Sequence, residues 1–238
     1  MSCSNAGMPW NKRNRVAKGD GEAMYKMQLE RMREKLITLR SLDPDLDLFG
    51  AENHEYEMEP VWTQEDITQF EQKWRIELPE EYKAWLLHMG TGGAGPYYGL
   101  ENPDDGVYAV LGYDDELNAI SDPFQFTESW NWNYDWFEDS KEEEEWEALE
   151  HEYLDPKWSA GMLRISDFGC GISMNLIVKG ASYGEIWVDD RANRNGIYPD
   201  QYWGNTNRLH FLDWYELWLN RSIHQIHGQK QQSGANEV

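Results

Sequence analysis

The 238-residue chain has little of several things that usually announce a function. Cysteine is nearly absent: Cys3 and Cys170 are the only two, so no disulfide framework is expected and a reducing, cytoplasmic setting fits. Basic side chains are scarce, 21 Lys and Arg against 44 Asp and Glu, for a formal net charge of −23. Gripping phosphate backbones or an anionic membrane needs clustered Lys and Arg, so neither direct nucleic-acid binding nor membrane-surface binding is expected. Long apolar runs are missing too. The longest, such as residues 107–111, are about a strand long, whereas a membrane-spanning helix needs about 20 residues. The first 20 residues are polar and basic with no apolar stretch, unlike a secretory signal.

Aromatic residues are abundant instead: 13 Trp, 13 Tyr and 7 Phe. Acidic disordered chains are poor in such side chains, so the composition predicts an aromatic-cored globular domain with a very negative coat. The charge is uneven. Residues 1–40 carry 9 basic and 4 acidic side chains, residues 41–163 carry 5 and 32, and residues 164–238 carry 7 and 8. Nearly all the negative field therefore comes from the middle of the chain. Residues 1–21 and 227–238 read as tails around one domain over 22–226, with an acidic, aromatic insert at about 124–160.

Periodicity then places the elements. Met24, Met27, Met32, Leu36 and Leu39 predict one face of a first helix. Residues 43–59 read as polar connection. Thr63 with Asp66 three residues on predicts a capped start for a helix carrying Ile67, Phe70 and Trp74. Pro79, Glu80 and Glu81 predict the opening of another, with Tyr82, Trp85, Leu86 and Met89 buried and Gly90 as its stop. Short apolar runs at 107–111, 162–165, 172–178 and 185–188 read as strands between Gly-rich turns. Leu212, Tyr215 and Leu219, with Phe211, Trp214 and Trp218, predict a closing helix. Helices first, then strands, then a helix argues for α+β, a mostly antiparallel sheet packed against several helices.

No catalytic constellation emerges. Asp43, Asp45 and Asp47 resemble the opening of a calcium loop, but its sixth and twelfth positions hold Leu48 and His54 rather than Gly and Glu. His224 and His227 share a helix face without a third ligand. Asp189 and Asp190 have no partner to separate their pKa values for acid–base work and read better as a turn-forming pair. Cys170 lacks a Cys/His signature, Ser173 lacks the Gly-x-Ser-x-Gly elbow, and residues 91–95 lack the Lys-Ser/Thr of a phosphate loop. No enzyme activity, metal or cofactor is expected.

Leu78-Pro79-Glu80-Glu81-Tyr82-Lys83-Ala84-Trp85-Leu86 leads into Gly90-Thr91-Gly92-Gly93-Ala94-Gly95-Pro96-Tyr97-Tyr98-Gly99-Leu100. Ahead lie Leu42-Asp43-Pro44-Asp45, Phe49-Gly50-Ala51, His54 and Tyr56. Gly184-Glu185-Ile186-Trp187-Val188-Asp189-Asp190, Gly196-Ile197-Tyr198 and residues 211–219 follow. This combination, from about Met24 to about Ile223, resembles the SUKH superfamily, in the branch that includes a fungal cell-wall-synthesis regulator and many bacterial proteins. The resemblance implies an α+β domain without enzymatic activity. It implies either an immunity protein that neutralises a cognate toxin of a polymorphic or contact-dependent system, or an intracellular regulatory scaffold. A carbohydrate-active enzyme is the weaker third reading, because no carboxylate pair can be singled out. Residue by residue, Gly92, Gly93, Gly95, Pro96 and Gly99 fix a motif loop, and Tyr97 and Tyr98 are expected to stack against the helices.

Residues 135–155 hold 11 acidic side chains and one Lys. Aromatics among carboxylates are typical interface anchors, and a carboxylate field steers a basic partner. The expected contact has Trp130, Trp132, Trp136 and Trp146 as anchors and Glu142, Glu143, Glu144 and Glu145 pairing with basic residues around a toxin's active site.

Overall fold

The computed structural model describes residues 18–108, 119–132 and 143–235. Among them the helices are α1 (Lys18–Leu42), α2 (Ala51–His54), α3 (Gln64–Trp74), α4 (Glu80–His88), α5 (Pro103–Gly106), α6 (Glu143–Leu154) and α7 (Phe211–Ala235). The strands β1 (Met162–Gly169), β2 (Ile172–Ile177), β3 (Ile186–Asp190) and β4 (Gly196–Pro199) form an antiparallel meander in sequence order. The fold is α+β, as the order of elements predicts.

Local chemistry sets most helix ends. The Thr63 hydroxyl accepts the Asp66 N–H at 3.2 Å while the Asp66 carboxylate accepts the Thr63 N–H at 2.7 Å, a reciprocal cap that satisfies two otherwise orphaned donors. Pro79 sits just outside α4 as its N-cap, and Gly90 is not in the left-handed region. What Gly90 provides is room: a Cβ there would lie 2.6 Å from the Glu59 carbonyl. The buried stripe of α1 is Leu29, Met32, Leu36 and Leu39, with Tyr25 packed behind it, whereas Met24 and Met27 are exposed. The true stripe has 3–4 spacing through Tyr25, and the expected Met24–Met27 pair falls outside it. Helices also reach into both segments read as tails, since α1 starts at Lys18 and α7 continues to Ala235. Gln229, Lys230, Gln231 and Gln232 are good helix formers. The strand expected at 107–111 does not begin as one: Val107 is the buried C-cap of α5, and residues 109–118 lie outside the described set.

One face of the sheet carries Leu163, Ile165, Met174, Leu176, Ile186 and Val188 into the helical core, where Trp85 meets Tyr215 at 4.3 Å and Tyr82 meets Phe211 at 4.7 Å. The alternate residues Met162, Ile177, Trp187 and Ile197 point to the other face, where Phe124 packs with them and Phe126, Trp130 and Trp158 cover the cluster. The insert therefore closes the back of the sheet, and all five residues of β3 are buried. No helix of the described residues is long and apolar enough to cross a membrane.

Candidate functional site

The acidic helix α6 is the first candidate, and a buried arginine holds it in place. Arg191 begins the turn Arg191–Asn193 just after β3 and is 3% exposed. Its Nε and Nη2 donate to the two Asp189 carboxylate oxygens at 2.8 and 2.7 Å, and its Nη1 donates to the carbonyls of Tyr153 and Asp155 at 3.1 and 3.0 Å. Two planar donors meet one carboxylate, and the rest of the guanidinium caps the end of α6, where carbonyls lack helical partners and favour a cation. Asn131 adds a second tie, accepting the Tyr153 hydroxyl at 2.6 Å and donating to the Arg194 carbonyl at 2.8 Å. Burial raises the Tyr153 phenol to about 12, so it stays a neutral donor. Between α6 and the Arg191–Asn193 turn lies a cleft of about 250 Å³, lined by Trp146, Glu147, Glu150, Tyr153, Leu154, Arg191, Ala192 and Arg194. The Arg194 guanidinium sits 5.5 Å from the centre of the Trp146 ring. Glu145, Glu147, Glu150 and Glu152 are exposed.

The motif loop is built quite differently. Residues 92–100 continue the sheet beyond β1 through single bridges that pair Leu100 with Ser166, Gly93 with Leu100 and Met58 with Gly93. Gly93 and Gly99 take φ of 98° and 105°, and a Cβ at either would lie within 2.6 Å of a backbone oxygen, so only glycine fits both. The core grips the loop as well. The Tyr215 hydroxyl donates to the Ala94 carbonyl and the Ser166 hydroxyl to the Pro96 carbonyl, both at 2.9 Å. His54, 8% exposed, accepts the Tyr56 N–H at its Nδ1 and has a backbone hydrogen bond to Gly95. Burial lowers its pKa to about 4, so at neutral pH it is an uncharged strut under the loop.

A model of the SMI1 / KNR4 family (SUKH-1) matches residues 62–200. The chain belongs to the SMI1 / KNR4 family (SUKH-1). No curated protein and no solved structure matches it. The SUKH-1 match takes in α3, α4, the motif loop, the insert and all four strands, and so includes both candidate regions.

Within this SUKH-1 domain the expected contact residues separate. Trp130 is half-buried: it exchanges backbone hydrogen bonds with Ile197 of β4 at 2.7 and 2.8 Å and stacks between Trp158 at 4.6 Å and Tyr153 at 5.8 Å. Its main surroundings are those of a core cover. Trp132 is half-buried, tilted against Tyr153 at 5.2 Å, and Trp146 is half-buried on the cleft. Glu143, Glu144 and Glu145 open α6, and Glu145 is exposed. Trp136 and Glu142 lie outside the described residues. In the motif loop Tyr97 is 5% exposed and Tyr98 41%. Tyr97 joins the helical core cluster, with Trp203 and Phe168 as ring neighbours, and the Tyr98 ring lies against Phe49.

The rejected motifs have structural roles. Asp43 is buried, accepts the N–H groups of Asp47 and Leu48, and receives the Tyr56 hydroxyl. Asp190 is buried and accepts from Asn193, Asn195 and Tyr198 at 2.8–3.0 Å. Among the described residues no group of three or more His, Cys, Asp or Glu is placed to hold a metal ion. Sequence reasoning missed Arg191. The available signal was an arginine two residues after Asp189 at the end of a strand too apolar to hold an unpaired acid.

Proposed function

We propose that this SUKH-1 protein binds a basic protein toxin in the cytoplasm and neutralises it by covering its active site with the α6 face. The observation that carries the reading is a set of exposed carboxylates, Glu145, Glu147, Glu150 and Glu152, on a helix fixed to the domain by a buried arginine. A fixed acidic surface loses little freedom on binding, and its field raises the rate of encounter with a basic partner. A toxin that acts on an anionic substrate, such as nucleic acid, must present Lys and Arg around its reacting atoms. Glu145, Glu147 and Glu150 would pair with them, with Trp132 and Trp146 as apolar anchors beside the cleft. Such a binder blocks access and needs no chemistry of its own.

The test is co-expression with a toxin gene lying beside this one. The reading predicts that growth is restored and that the two chains co-purify. A toxin that stays lethal and leaves the column alone overturns it, and a gene standing apart from any toxin favours a regulatory scaffold.

A further inference from the structure

The motif loop belongs to a second exposed feature that the α6 reading does not use. Four separate segments bring aromatic rings together on the surface: Phe49 from the turn before α2, Tyr98 from the motif loop, Phe168 from the end of β1 and Tyr202 from the turn after β4. Phe49 lies 5.2 Å from Tyr98 and 5.9 Å from Phe168, and Phe168 stacks on Tyr202 at 5.2 Å and 16°. Phe49, Tyr98 and Tyr202 are 58%, 41% and 42% exposed. A joined patch of this kind on a water-soluble surface marks a contact more often than scattered single rings do.

The patch is held at a cost. Tyr97, directly beneath, has φ 58°, a conformation that bulky residues avoid, and its buried hydroxyl has no hydrogen-bond partner. Its ring meets Phe168 at 4.7 Å, Tyr202 at 6.1 Å and Trp203 at 5.5 Å. The strained backbone turns Tyr97 inward as a support and leaves Tyr98 facing out. Strain of this sort persists where the surroundings over-determine it, and it gathers at functional surfaces.

Charge selects the occupant. From residue 41 to residue 72 there is no Lys or Arg at all; Asp45, Asp47 and Glu52, near Phe49 along the chain, are exposed, and Asp167, which precedes Phe168, is half-exposed. Arg221, which donates to the Trp203 carbonyl, marks the α7 edge. Ring faces carry negative quadrupoles and attract guanidinium and ammonium groups. We infer that the plate of Phe49, Tyr98, Phe168 and Tyr202 is a docking surface for an arginine- or lysine-bearing segment of a protein partner. The inference goes beyond the α6 reading, since it needs a basic segment and not a toxin.

The experiment titrates the full chain into a fluorescent peptide of alternating arginine and glycine, read by anisotropy at physiological salt, with a serine–glycine peptide as control. The protein variants are Phe49→Ser with Tyr98→Ser on the plate and Asp47→Asn with Glu52→Gln on its rim. The plate variant is expected to weaken binding about tenfold, with unchanged circular dichroism and melting. The rim variant should flatten the salt dependence. Equal binding by parent and plate variant overturns the inference. So does equal binding of the serine–glycine peptide, or retention on an immobilised polysaccharide that the plate variant abolishes while the arginine peptide fails to bind. Because no toxin is used, failure here leaves the α6 reading to its own test.

Discussion

Replacing Arg191 with alanine should be among the most damaging single changes available in this chain. The guanidinium is 3% exposed and makes four hydrogen bonds, two to Asp189 and one each to the carbonyls of Tyr153 and Asp155. Its removal leaves the Asp189 carboxylate, itself 6% exposed, as an uncompensated buried charge. Breaking one side of such a pair costs about 3–5 kcal/mol, and the two carbonyls lose a partner as well. Against a typical total stability of about 5–15 kcal/mol, that is a large share. Lysine cannot replace the arginine, since one ammonium cannot meet both carboxylate oxygens and two carbonyls in plane. Arg191→Met combined with Asp189→Asn removes both charges, so it should recover a good part of the loss. Urea unfolding of the three proteins measures these differences, and hydrogen exchange reports where they fall, with α6 losing protection first. An Arg191→Ala protein within about 1 kcal/mol of the parent, or one whose α6 amides stay protected, would refute the argument that this residue pins the acidic helix.

Acid should weaken the domain in two stages. His54 drops from 6.5 to about 4 on folding, so the native state holds fewer protons than the unfolded chain between those values. Stability therefore falls as pH is lowered through that window, by up to about 3 kcal/mol, and His54→Gln should remove this stage from a melting-versus-pH curve. Hydrogen bonding to Arg31, with Lys35 beside it, holds Glu216 at about 2 against its ordinary 4.5, and that contribution is lost only below 4.5. A flat melting temperature from pH 7 to about 4 contradicts the buried, neutral His54. Tyr97→Phe should leave stability unchanged or raise it by up to about 1 kcal/mol, because the hydroxyl it deletes is buried without a partner. A loss above about 2 kcal/mol in thermal or urea unfolding would mean that this hydroxyl is satisfied in solution.

The elements with local signals were legible in the sequence. The Thr63–Asp66 cap, the Tyr82–Trp85–Leu86 stripe and the apolar runs of β1 to β3 each carry their own cause within a few residues. β4 was not, because four residues beginning with Gly196 and ending with Pro199 give no alternation to read, and they are defined by pairing with β3. The insert was half legible. Its charge was evident, but Trp130 looked like a surface anchor until the back of the sheet showed what it covers together with Phe126 and Trp158. The missed clue lies in β3: Ile186, Trp187 and Val188 form an unbroken apolar run, and such a strand needs cover on both faces. The aromatic plate was invisible for another reason, since its rings come from positions 49, 98, 168 and 202, which only the fold brings together.

The central claim, that the α6 carboxylates meet a basic partner, is tested most directly by association kinetics. The purified chain and a triple Glu145→Lys, Glu147→Lys, Glu150→Lys variant are each mixed with the toxin across a range of salt. Because the three side chains are exposed, the variant should melt as the parent does. The account predicts that it associates at least about tenfold more slowly at low salt and with a shallower salt dependence. Equal rates and equal salt slopes for the two proteins would contradict it.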